Sequence, residues 1–485
     1  MDAMSFVLFG ATGDLAKRKI FPALFNLFLE KKMSETFSII GVGIEELSDV
    51  HFQKHVEESI RTFSRSSLFV EEKLQEFSSS IRYIQLDVTN KEGYKKLLKI
   101  IQIREYELNI PGNRLFYLSV APKFFEDIAL NVYESELGST SGWKRLIIEK
   151  PFGHDLQSAQ ALNMQLSKAF EENEIYRIDH YLGKTMVQNL ATLVISNPVI
   201  YAIWNRKHIA NVQITASETV GVEERAGYYD QTGAIRDMFQ NHMLQMLMMT
   251  TMNLPKSINA NDIRSEKKNV MGSLRPIKKE EVYKSVIRGQ YGPGEILGEP
   301  VVGYHDEQGI NASSTNDTFV ATRIWIDNPF WSGVPFYIRT GKRMKEKSTR
   351  IVIEFNNPLK KLYPIMNQEA EPNLLIINIG PYEGISMQLN SSNQNNNGTF
   401  KPFTVEFSAD TKEMPEAYEL LIEDALQGDS TFFAHWDEVE LSWKWVQPIL
   451  EAFDDNFLPL HSYISGSSGP QAADHLLEED GFIWR

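Results

Sequence analysis

Residues 5–19 read SFVLFGATGDLAKRK, an apolar run followed by a glycine-containing turn and a stretch that favours a helix. Within it, Gly10, Gly13 and Ala16 give the spacing G-x-x-G-x-x-A where a predicted strand passes into a predicted helix. Gly10 allows a tight turn, Gly13 lets the backbone approach a pyrophosphate, and the helix N-terminus offers amide donors and the positive end of its dipole. The stretch therefore predicts a dinucleotide-binding turn, with a purely structural turn as the alternative.

Short apolar runs alternate with amphipathic stretches through the first part of the chain. The apolar runs are FSIIGVG (37–43), RYIQLDV (82–88), RLFYLSV (114–120) and KRLIIEKPFG (144–153). Strands that alternate with helices form βαβ units, in which the strands lie parallel and helices cover both faces of the sheet. We therefore predict an α/β Rossmann-like dinucleotide-binding domain over residues 1–178.

The pattern changes in the second part of the chain, where strand-like runs follow one another with few helices between them. Examples are NVQITASETVGV (211–222), TFVATRIWID (318–327), VPFYIRTGKR (334–343) and TRIVIEF (349–355). Strands in succession favour an antiparallel sheet. We predict a larger α+β domain over residues 179–485, with a mainly antiparallel sheet, which binds the substrate and forms the oligomer.

The composition limits the classes to which the protein can belong. The 485 residues carry a net charge of −15, which argues against a nucleic-acid partner. No run approaches the ~18–20 apolar residues of a membrane span. The absence of cysteine excludes disulfides, thiolate nucleophiles and iron–sulfur clusters. We expect a cytoplasmic protein with no membrane partner, and no metal, because the sequence shows no clear cluster of metal ligands.

The stretch RIDHYLGK (177–184) concentrates chemically useful side chains next to the predicted domain boundary. In either a strand or a helix, Asp179 and His180 point in different directions, so they should not share one task. His180, Tyr181 and Lys184 together supply hydrogen-bond donors that suit a phosphate monoester dianion. Asp179 is then available to orient a base elsewhere.

His242 is the candidate for that base. It lies in AIRDMFQNHMLQMLMMT (234–250), a predicted helix on which the imidazole stands among methionines and leucines. A base with a pKa near neutrality suits proton abstraction at physiological pH. The alternative is that His242 is a histidine of the hydrophobic core whose hydrogen bonds are satisfied there.

Seven motifs, taken together and in this order, resemble those of the glucose-6-phosphate dehydrogenase family along nearly the whole chain. They are FGATGDLAKRK (9–19), EKPFG (149–153), RIDHYLGK (177–184), RDMFQNH (236–242), IRTGK (338–342), DEVELSW (437–443) and SGP (468–470). The resemblance implies oxidation of β-D-glucose 6-phosphate at C1 to 6-phosphoglucono-δ-lactone, with hydride transfer to NADP or NAD. That reaction is the first step of the oxidative pentose phosphate pathway.

The resemblance also implies a role for individual residues. His242 would be the catalytic base and Asp179 its partner, which holds the tautomer and stabilises the imidazolium. His180, Tyr181 and Lys184 would bind the 6-phosphate. The remaining predicted substrate-binding residues are Lys150, Glu218, Asp237, Lys342 and Lys347. The predicted cofactor-binding residues are Gly10, Thr12, Gly13, Asp14, Leu15, Lys19, Glu45, Ala121, Pro122 and Lys150. Pro151 stands where the family places a cis peptide bond.

The choice between NADP and NAD is left open by the sequence. The family usually has an arginine after the second strand, where it meets the 2′-phosphate of NADP, but this chain has Ile44 followed by Glu45 and Glu46. A carboxylate there accepts a hydrogen bond from the ribose 2′-hydroxyl of NAD and repels a 2′-phosphate. Thr12, Arg18 or a lysine of the same turn could still hold the phosphate, so NADP remains the family default and NAD the alternative.

Two other functions would share part of this sequence pattern. A related sugar-phosphate or polyol dehydrogenase would share the nucleotide turn, but not RIDHYLGK together with the His242 helix. A cofactor-sensing binding protein of the same fold would have lost a member of the set Asp179, His180, Lys184 and His242, which is intact. The resemblance implies a homodimer or homotetramer, and a large antiparallel sheet would supply the interface.

Overall fold

The computed structural model describes residues 1–65, 71–357, 370–392, 400–408 and 415–485, and the chain folds into two compact units. Unit 1 consists of Met1–Gly183, Ile258–Arg264 and Pro415–Glu440. Unit 2 consists of Lys184–Ser257, Ser265–Met414 and Leu441–Arg485. The sequence predicted two uninterrupted domains that meet between residues 178 and 179. Unit 1 differs from that prediction because it continues to Gly183 and includes two later segments.

The sheet of unit 1 has six parallel strands. They are β1 (Met4–Phe9), β2 (Phe37–Gly43), β3 (Ile81–Gln85), β4 (Arg114–Leu118), β5 (Lys144–Glu149) and β6 (Ile175–Ile178), in the spatial order β3-β2-β1-β4-β5-β6. Every residue of β1, β2 and β4 is buried, as expected for strands covered on both faces. This sheet confirms the Rossmann-like prediction. The strand order reverses between β1 and β4, and ligands of such sheets bind beyond the carboxyl ends of the strands at that point.

Most helices fall where the sequence alternation predicts them. They are α1 (Phe21–Leu29), α2 (Asp49–Phe63), α3 (Glu71–Ser79), α4 (Lys91–Leu108), α5 (Phe125–Glu134), α6 (Leu156–Leu166), α7 (Thr185–Ile195), α8 (Pro198–Ile203), α9 (Ala226–Ala234), α10 (Leu244–Thr251), α11 (Ala260–Gly272), α12 (Ala417–Gln427), α13 (Trp436–Asp454) and α14 (Ala472–Glu478). Two π-helical segments, Ala16–Ile20 and Ile235–Met243, lead directly into α1 and α10. Short 3₁₀ turns lie at Pro122–Phe124, Glu172–Glu174, Glu223–Arg225, Lys279–Lys284 and Tyr304–Asp306.

Helix α12 explains why unit 1 includes a late segment of the chain. Its residues Leu421 and Ile422 are fully buried in the same hydrophobic cluster as Phe25 of α1. Glu419, also on α12, is buried and accepts a hydrogen bond from Arg65 at 2.8 Å. Burial of these apolar side chains stabilises the association of segments that lie almost 400 residues apart in sequence. Such long-range pairing leaves no local sequence pattern, so the sequence did not indicate that this late segment packs with unit 1.

Unit 2 contains a nine-stranded mixed sheet and a small hairpin. The strands are β7 (Ile209–Ser217), β8 (Val286–Gly292), β9 (Gly294–Ile296), β10 (Glu299–Val301), β11 (Phe319–Trp325), β12 (Pro335–Gly341), β13 (Ser348–Phe355), β14 (Leu374–Gly380), β15 (Gly384–Ser392), β16 (Phe400–Ser408) and β17 (Leu460–Ile464). The large sheet has the order β16-β15-β14-β13-β7-β12-β11-β8-β17, and β9 and β10 form the hairpin. Among the described strands of the large sheet, only the β7–β12 and β8–β17 pairs are parallel, which confirms the prediction of a mainly antiparallel sheet.

Within the described parts of the chain, none of the helices is both long enough and apolar enough to cross a bilayer.

Candidate active site

The turn after β1 has the close-packed geometry that the sequence predicts. Gly10 has a φ of +78°, and a Cβ atom built on it would lie 2.1 Å from the carbonyl oxygen of Ser119, which follows β4. Only glycine therefore fits at this position without moving the backbone. The amides of Gly10 and Ala11 both donate to the carbonyl of Val42, at 2.9 and 3.0 Å. The turn is thus held by β2 on one side and β4 on the other, at the reversal point of the sheet.

Helical structure begins at Asp14, immediately after Gly13. The Gly13 amide donates to the Gly10 carbonyl at 3.0 Å, and its own carbonyl accepts from the Lys17 amide at 3.1 Å. Thr12 is half-buried beside Gly13, and Leu15 is half-buried in the first helical turn. A helix N-terminus at the end of the first strand presents amide donors to an anion, which is the fit that a dinucleotide pyrophosphate requires.

The charged side chains of this turn already have ionic partners. Arg18 contacts Asp14 at 2.9 Å, and both side chains are more than half exposed. Lys19 contacts Glu416 at 2.6 Å. Ion pairs that are this exposed contribute little to stability, so either cation could exchange its carboxylate for a ligand phosphate at small cost. The predicted roles of Asp14 and Lys19 in cofactor binding stay predictions.

The loop after β2 is fixed by two side chains of β3. Tyr83 donates from its hydroxyl to the carbonyl of Glu45 at 2.8 Å, and the Gln85 amide donates to the carbonyl of Ile44 at 3.0 Å. Burial and the nearby Glu45 charge raise the pKa of Tyr83 to about 12. The side chain of Ile44 is 71% exposed, and Glu45 is also exposed. Sequence reasoning singled out Glu45 but missed Tyr83 and Gln85, because pairing between neighbouring strands places them there.

Thr12 lies close to the end of β2, as the predicted cofactor site requires. A Cβ atom built on Gly43 would be 3.4 Å from the Thr12 hydroxyl and 2.7 Å from the Tyr83 hydroxyl. On the other side of the reversal point, Ala121 and Pro122 follow β4 and are exposed on the turn Pro122–Phe124. The structure therefore distributes these predicted contacts around the carboxyl ends of β1, β2 and β4.

The end of β5 holds a half-buried acid that sequence reasoning did not consider. Glu149 accepts a hydrogen bond from the Tyr117 hydroxyl at 2.6 Å, and Tyr418 of α12 faces the same carboxyl group. Burial raises the pKa of Glu149 to about 7, although the two tyrosines and Lys150 oppose the shift. Lys150 follows directly and is joined to Pro151 by a cis peptide bond, which confirms that expectation.

Asp179 occupies a buried position just beyond β6. Its side chain is 2% exposed, and its Oδ1 accepts a hydrogen bond from the Tyr181 amide at 2.9 Å. The Asp179 carbonyl accepts a second hydrogen bond, from the Leu182 amide, at 2.9 Å. His180 follows Asp179 in this turn, and its half-buried ring packs against the Tyr181 ring with centroids 4.9 Å apart. A carboxylate oxygen of Asp179 and a ring nitrogen of His180 lie within 4.8 Å of each other, so the expectation that the two side chains diverge was wrong.

Lys184 begins unit 2 as the N-cap of α7. The residues that follow it, Thr185, Met186 and Val187, carry no charge, so the amides of the first turn favour an anion. Glu383 lies near Lys184 and accepts a hydrogen bond from the Met186 amide; burial raises the pKa of the Glu383 carboxyl, while Lys184 and the Met186 amide lower it. Lys184 is therefore a cation at a helix N-terminus, a combination that suits a phosphate group.

The predicted helix around His242 is a π-helical segment over Ile235–Met243. In an α-helix, residues five positions apart diverge by about 140°. A π-helix bonds each residue to the fifth along and has about 4.4 residues per turn, so the same two residues diverge by about 50°. Asp237 and His242, which are 7% and 0% exposed, thus lie on one face of this segment. The sequence predicted the helix but not its π register.

Asn241 supports the wide turn of the π-helical segment from within. Its side-chain amide donates to the carbonyl of Arg236 at 2.9 Å, and its side-chain oxygen accepts from the His242 amide at 2.7 Å. Asn241 therefore joins the residue before Asp237 to the backbone of His242. It was quoted in the motif RDMFQNH but was given no role in the sequence analysis.

Two predicted sugar-binding residues form an ion pair in unit 2. The Lys342 ammonium lies 2.5 Å from Oε2 of Glu218, and it also lies 5.1 Å from the centre of the Tyr229 ring. Tyr229 is fully buried, and burial together with Asp237 raises its pKa well above the usual value. Lys342, Glu218 and Asp237 therefore surround one tyrosine. Lys347 is exposed on the loop before β13, and its predicted role stays a prediction.

Comparison with known proteins gives the same family over both parts of the chain. Residues 7–189 match the model described as "Glucose-6-phosphate dehydrogenase, NAD binding domain", and residues 191–485 match "Glucose-6-phosphate dehydrogenase, C-terminal domain". A glucose-6-phosphate 1-dehydrogenase of Bacillus subtilis is 46% identical over 481 residues, which are 99% of this chain and 97% of the relative. That of Leuconostoc mesenteroides is 40% identical, covering 98% and 97% of the two chains.

Solved structures agree with the sequence relatives. A glucose-6-phosphate dehydrogenase in complex with its substrate glucose 6-phosphate aligns with a TM-score of 0.91 at 35% identity, covering 100% of this chain and 99% of that one. A glucose-6-phosphate 1-dehydrogenase of Mycobacterium avium aligns with a TM-score of 0.83 at 31% identity, covering 100% and 98% of the chains. The similarity therefore extends over full length in both sequence and fold.

Proposed function

The chain belongs to the glucose-6-phosphate dehydrogenase family, and on that premise we propose how its residues oxidise β-D-glucose 6-phosphate at C1. The product is 6-phosphoglucono-δ-lactone, and the hydride acceptor is NADP or NAD. In the structure, the observation that supports this chemistry best is the π-helical segment, which presents Asp237 and His242 on one face. His242 supplies the base that oxidation at C1 requires, and Asp237 on the same face of the segment binds a sugar hydroxyl beside it.

His242 is the proposed catalytic base. Loss of hydride from C1 builds positive charge on that carbon, so the proton of the C1 hydroxyl must leave in the same step. The imidazole accepts this proton, and Asp179 is the proposed partner that holds the imidazole tautomer and stabilises the imidazolium. The hydrogen bond that Asp179 accepts from the Tyr181 amide at 2.9 Å restrains the orientation of its carboxylate for that task.

The proposed substrate contacts divide between the phosphate and the sugar. His180, Tyr181 and Lys184 hold the 6-phosphate, with help from the amides at the start of α7. Glu218, Asp237 and Lys342 bind sugar hydroxyls, and Lys150 reaches both sugar and cofactor. Lys347 is the weakest of these assignments, because its side chain is exposed on a loop.

The turn around Gly10 fits a dinucleotide. A Cβ atom on Gly10 would overlap the Ser119 carbonyl, so glycine is needed for the tight turn, and the helix that begins at Asp14 supplies amide donors for a pyrophosphate. When bound, the dinucleotide supplies the nicotinamide that accepts the hydride. Gly10, Thr12, Gly13 and Leu15 would hold its phosphates and ribose, while Ala121 and Pro122 would line the nicotinamide side.

For the choice of dinucleotide, we propose that NAD is used well and that the preference for NADP is weakened. The support is the Ile44 and Glu45 pair at the end of β2, where the Glu45 backbone is fixed by Tyr83. The test compares kcat/KM for NAD and NADP in wild type, Ile44→Arg and the uncharged control Ile44→Gln. We expect Ile44→Arg, and not Ile44→Gln, to raise the ratio of kcat/KM for NADP to kcat/KM for NAD by about tenfold or more. A wild type with strong NADP preference would contradict this assignment.

The function itself is tested by initial rates with glucose 6-phosphate and either dinucleotide, followed by the absorbance of the reduced nicotinamide. We expect turnover in wild type and a loss of about 10²–10⁴-fold in kcat for His242→Asn, the range expected for a general base. Dinucleotide affinity, measured by fluorescence titration, should be unchanged in that variant. Binding of dinucleotide without turnover in wild type would instead favour a cofactor-sensing protein.

We also propose that two copies of the chain associate through the apolar face of β15 and β16. Phe403, Val405 and Phe407 alternate along β16, share one face, and are 43%, 37% and 63% exposed. The test is light scattering of wild type, Phe407→Lys and the opposite-face control Thr404→Lys. We expect a dimer that only Phe407→Lys dissociates, and an equal effect of both variants would contradict the proposed face. A cytoplasmic location stays a prediction.

A further inference from the structure

Asp317, on the loop before β11, contacts the start of the π-helical segment with both its side chain and its backbone. Oδ2 of Asp317 accepts a hydrogen bond from the Ile235 amide at 2.9 Å, and the Asp317 carbonyl accepts one from the Ala234 amide at 2.9 Å. The first amides of a helix have no partner within the helix, so a buried helix start needs acceptors from elsewhere. Asp317 is 3% exposed and supplies two of them.

The same loop also controls the break that precedes the π-helical segment. Gly233 has φ 68° and ψ 171°, a conformation that is essentially restricted to glycine. A Cβ atom built on Gly233 would lie 2.6 Å from Oδ1 of Asp317. On the other side of the break, the Asn316 side chain donates to the carbonyl of Tyr229 at 2.7 Å. The loop thus binds the end of α9 with Asn316 and the start of the π-helical segment with Asp317.

The position of this start decides which residues share a face farther along the segment. With π-type bonding, Asp237 and His242 diverge by about 50°, but if the segment relaxed to α-type bonding they would diverge by about 140°. Asp237 and His242 would then no longer both face the substrate. An α-helix is the more common state, so specific contacts must favour the π register. Asn241 supplies such contacts from within the segment, and Asp317 supplies others at its start.

We propose that Asp317 is a positioning residue of the reaction, which fixes the start and hence the register of the π-helical segment that carries Asp237 and His242. The inference rests on the proposed function, since it concerns how the proposed base and sugar-binding carboxylate are aligned. Asp317 itself touches neither of these side chains through the hydrogen bonds described above. It acts on the backbone at Ala234 and Ile235.

The surroundings of Asp317 explain how a carboxyl group can be held in this buried place. Burial raises its pKa, and the Ile235 amide, Arg236 and Arg288 act in the opposite direction. Arg288 is 4% exposed and is anchored by the carbonyl of Leu458 at 3.0 Å. The cations on the segment and on β8 therefore offset part of the cost of burying the carboxylate.

The test compares Asp317→Ala with Asp317→Asn in steady-state kinetics with glucose 6-phosphate. Asn and Asp serve equally well as helix caps, because either side chain offers an oxygen to the first amides. We expect Asp317→Ala to lower kcat by about 100-fold and to raise KM for the sugar, since displacement of about 1 Å at a reacting group has effects of this size. KM for the dinucleotide should not change. Asp317→Asn should remain within about fivefold of wild type.

A matched control removes a helix cap away from the π-helical segment. Asn90 caps α4 through the Glu92 amide at 3.1 Å, so Asn90→Ala loses a similar contact. We expect that variant to keep kcat/KM within about twofold of wild type at a temperature where all variants are folded. The proposal would be overturned if Asp317→Ala also kept kcat/KM within about twofold of wild type. It would equally be overturned if Asp317→Asn lost as much activity as Asp317→Ala.

Hydrogen exchange separates the failure of this inference from failure of the proposed function. If Asp317 fixes the register, the amides of Ile235–Met243 should exchange faster in Asp317→Ala than in wild type, and Asn90→Ala should leave them unchanged. This result does not depend on turnover, so it can be obtained even if wild type does not oxidise glucose 6-phosphate. Unchanged exchange in Asp317→Ala would overturn the inference, whereas absent turnover in wild type would overturn the proposed function.

Discussion

Replacement of Glu149 by glutamine should stabilise the protein at high pH and have little effect at low pH. The pKa of Glu149 is raised from 4.5 to about 7, chiefly by burial. Between those two values the folded protein binds more protons than the unfolded chain, so the free energy of unfolding falls as the pH rises. Glutamine has nearly the same shape and can still accept the Tyr117 hydrogen bond, but it does not ionise.

The size of the effect follows from the two pKa values. The pKa of Glu149 shifts from 4.5 in the unfolded chain to about 7 in the folded protein. By proton linkage, the free energy of unfolding of wild type is therefore lower than at acidic pH by roughly 0.8 kcal/mol at pH 5 and roughly 3.3 kcal/mol at pH 8. The advantage of Glu149→Gln over wild type should therefore grow by about 2.5 kcal/mol across this range. For a domain of this size, that corresponds to about 5–10 °C in the midpoint of thermal unfolding.

The assay is urea or thermal unfolding of wild type and Glu149→Gln at pH 5, 6, 7 and 8. Glu72→Gln, at an exposed position on α3, controls for removal of a negative charge from an acidic chain. We expect its difference from wild type to be nearly independent of pH. A Glu149→Gln advantage that is constant with pH, or that shrinks as the pH rises, would refute the reasoning that a buried carboxyl group loses its proton here.

Three further predictions concern the binding of cofactor and substrate. Gly10→Ala should abolish dinucleotide binding in a fluorescence titration, because the new Cβ would lie 2.1 Å from a carbonyl oxygen, whereas Gly272→Ala meets nothing within 4 Å and should bind as wild type does. Tyr83→Phe should weaken NAD binding up to about tenfold, the value of one lost hydrogen bond, without changing kcat; an unchanged Kd would show that the Glu45 loop needs no support. Lys342→Ala should raise KM for glucose 6-phosphate by about tenfold or more, the range for a charged hydrogen bond, and an equal rise in KM for the dinucleotide would contradict its assignment to the sugar.

The nucleotide half of the fold was largely predictable because its signals are local. Gly10 and Gly13 lie within four residues of each other, and the strand, turn and helix around them follow in order along the chain. The continuous apolar runs of β1, β2 and β4 reflect burial on both faces of a parallel sheet. The same locality explains why Thr12 and Glu45 could be named as candidates near the ends of the first two strands.

The environment of Glu149 could not be predicted in this way. Its hydrogen-bond donor Tyr117 lies on a neighbouring strand, and Tyr418 comes from α12, far along the chain. The acid itself was visible in the motif EKPFG, but nothing in that motif shows that the carboxyl group is buried or what faces it. Burial decides its pKa, and burial is a property of packing.

The sequence alone determined the Rossmann-like order of strands and helices, the mainly antiparallel second sheet and the candidate base His242, because strand and helix periodicity and short motifs depend on neighbouring residues. The tertiary structure decided the assembly of unit 1 from three segments, the raised pKa of Glu149 and the π register between Asp237 and His242. These features depend on contacts between distant residues, such as Asp317 with Ile235. Hydrogen-bond register and burial depend on which chain segments pack together. The packing of two distant segments leaves no periodic pattern in the sequence of either segment.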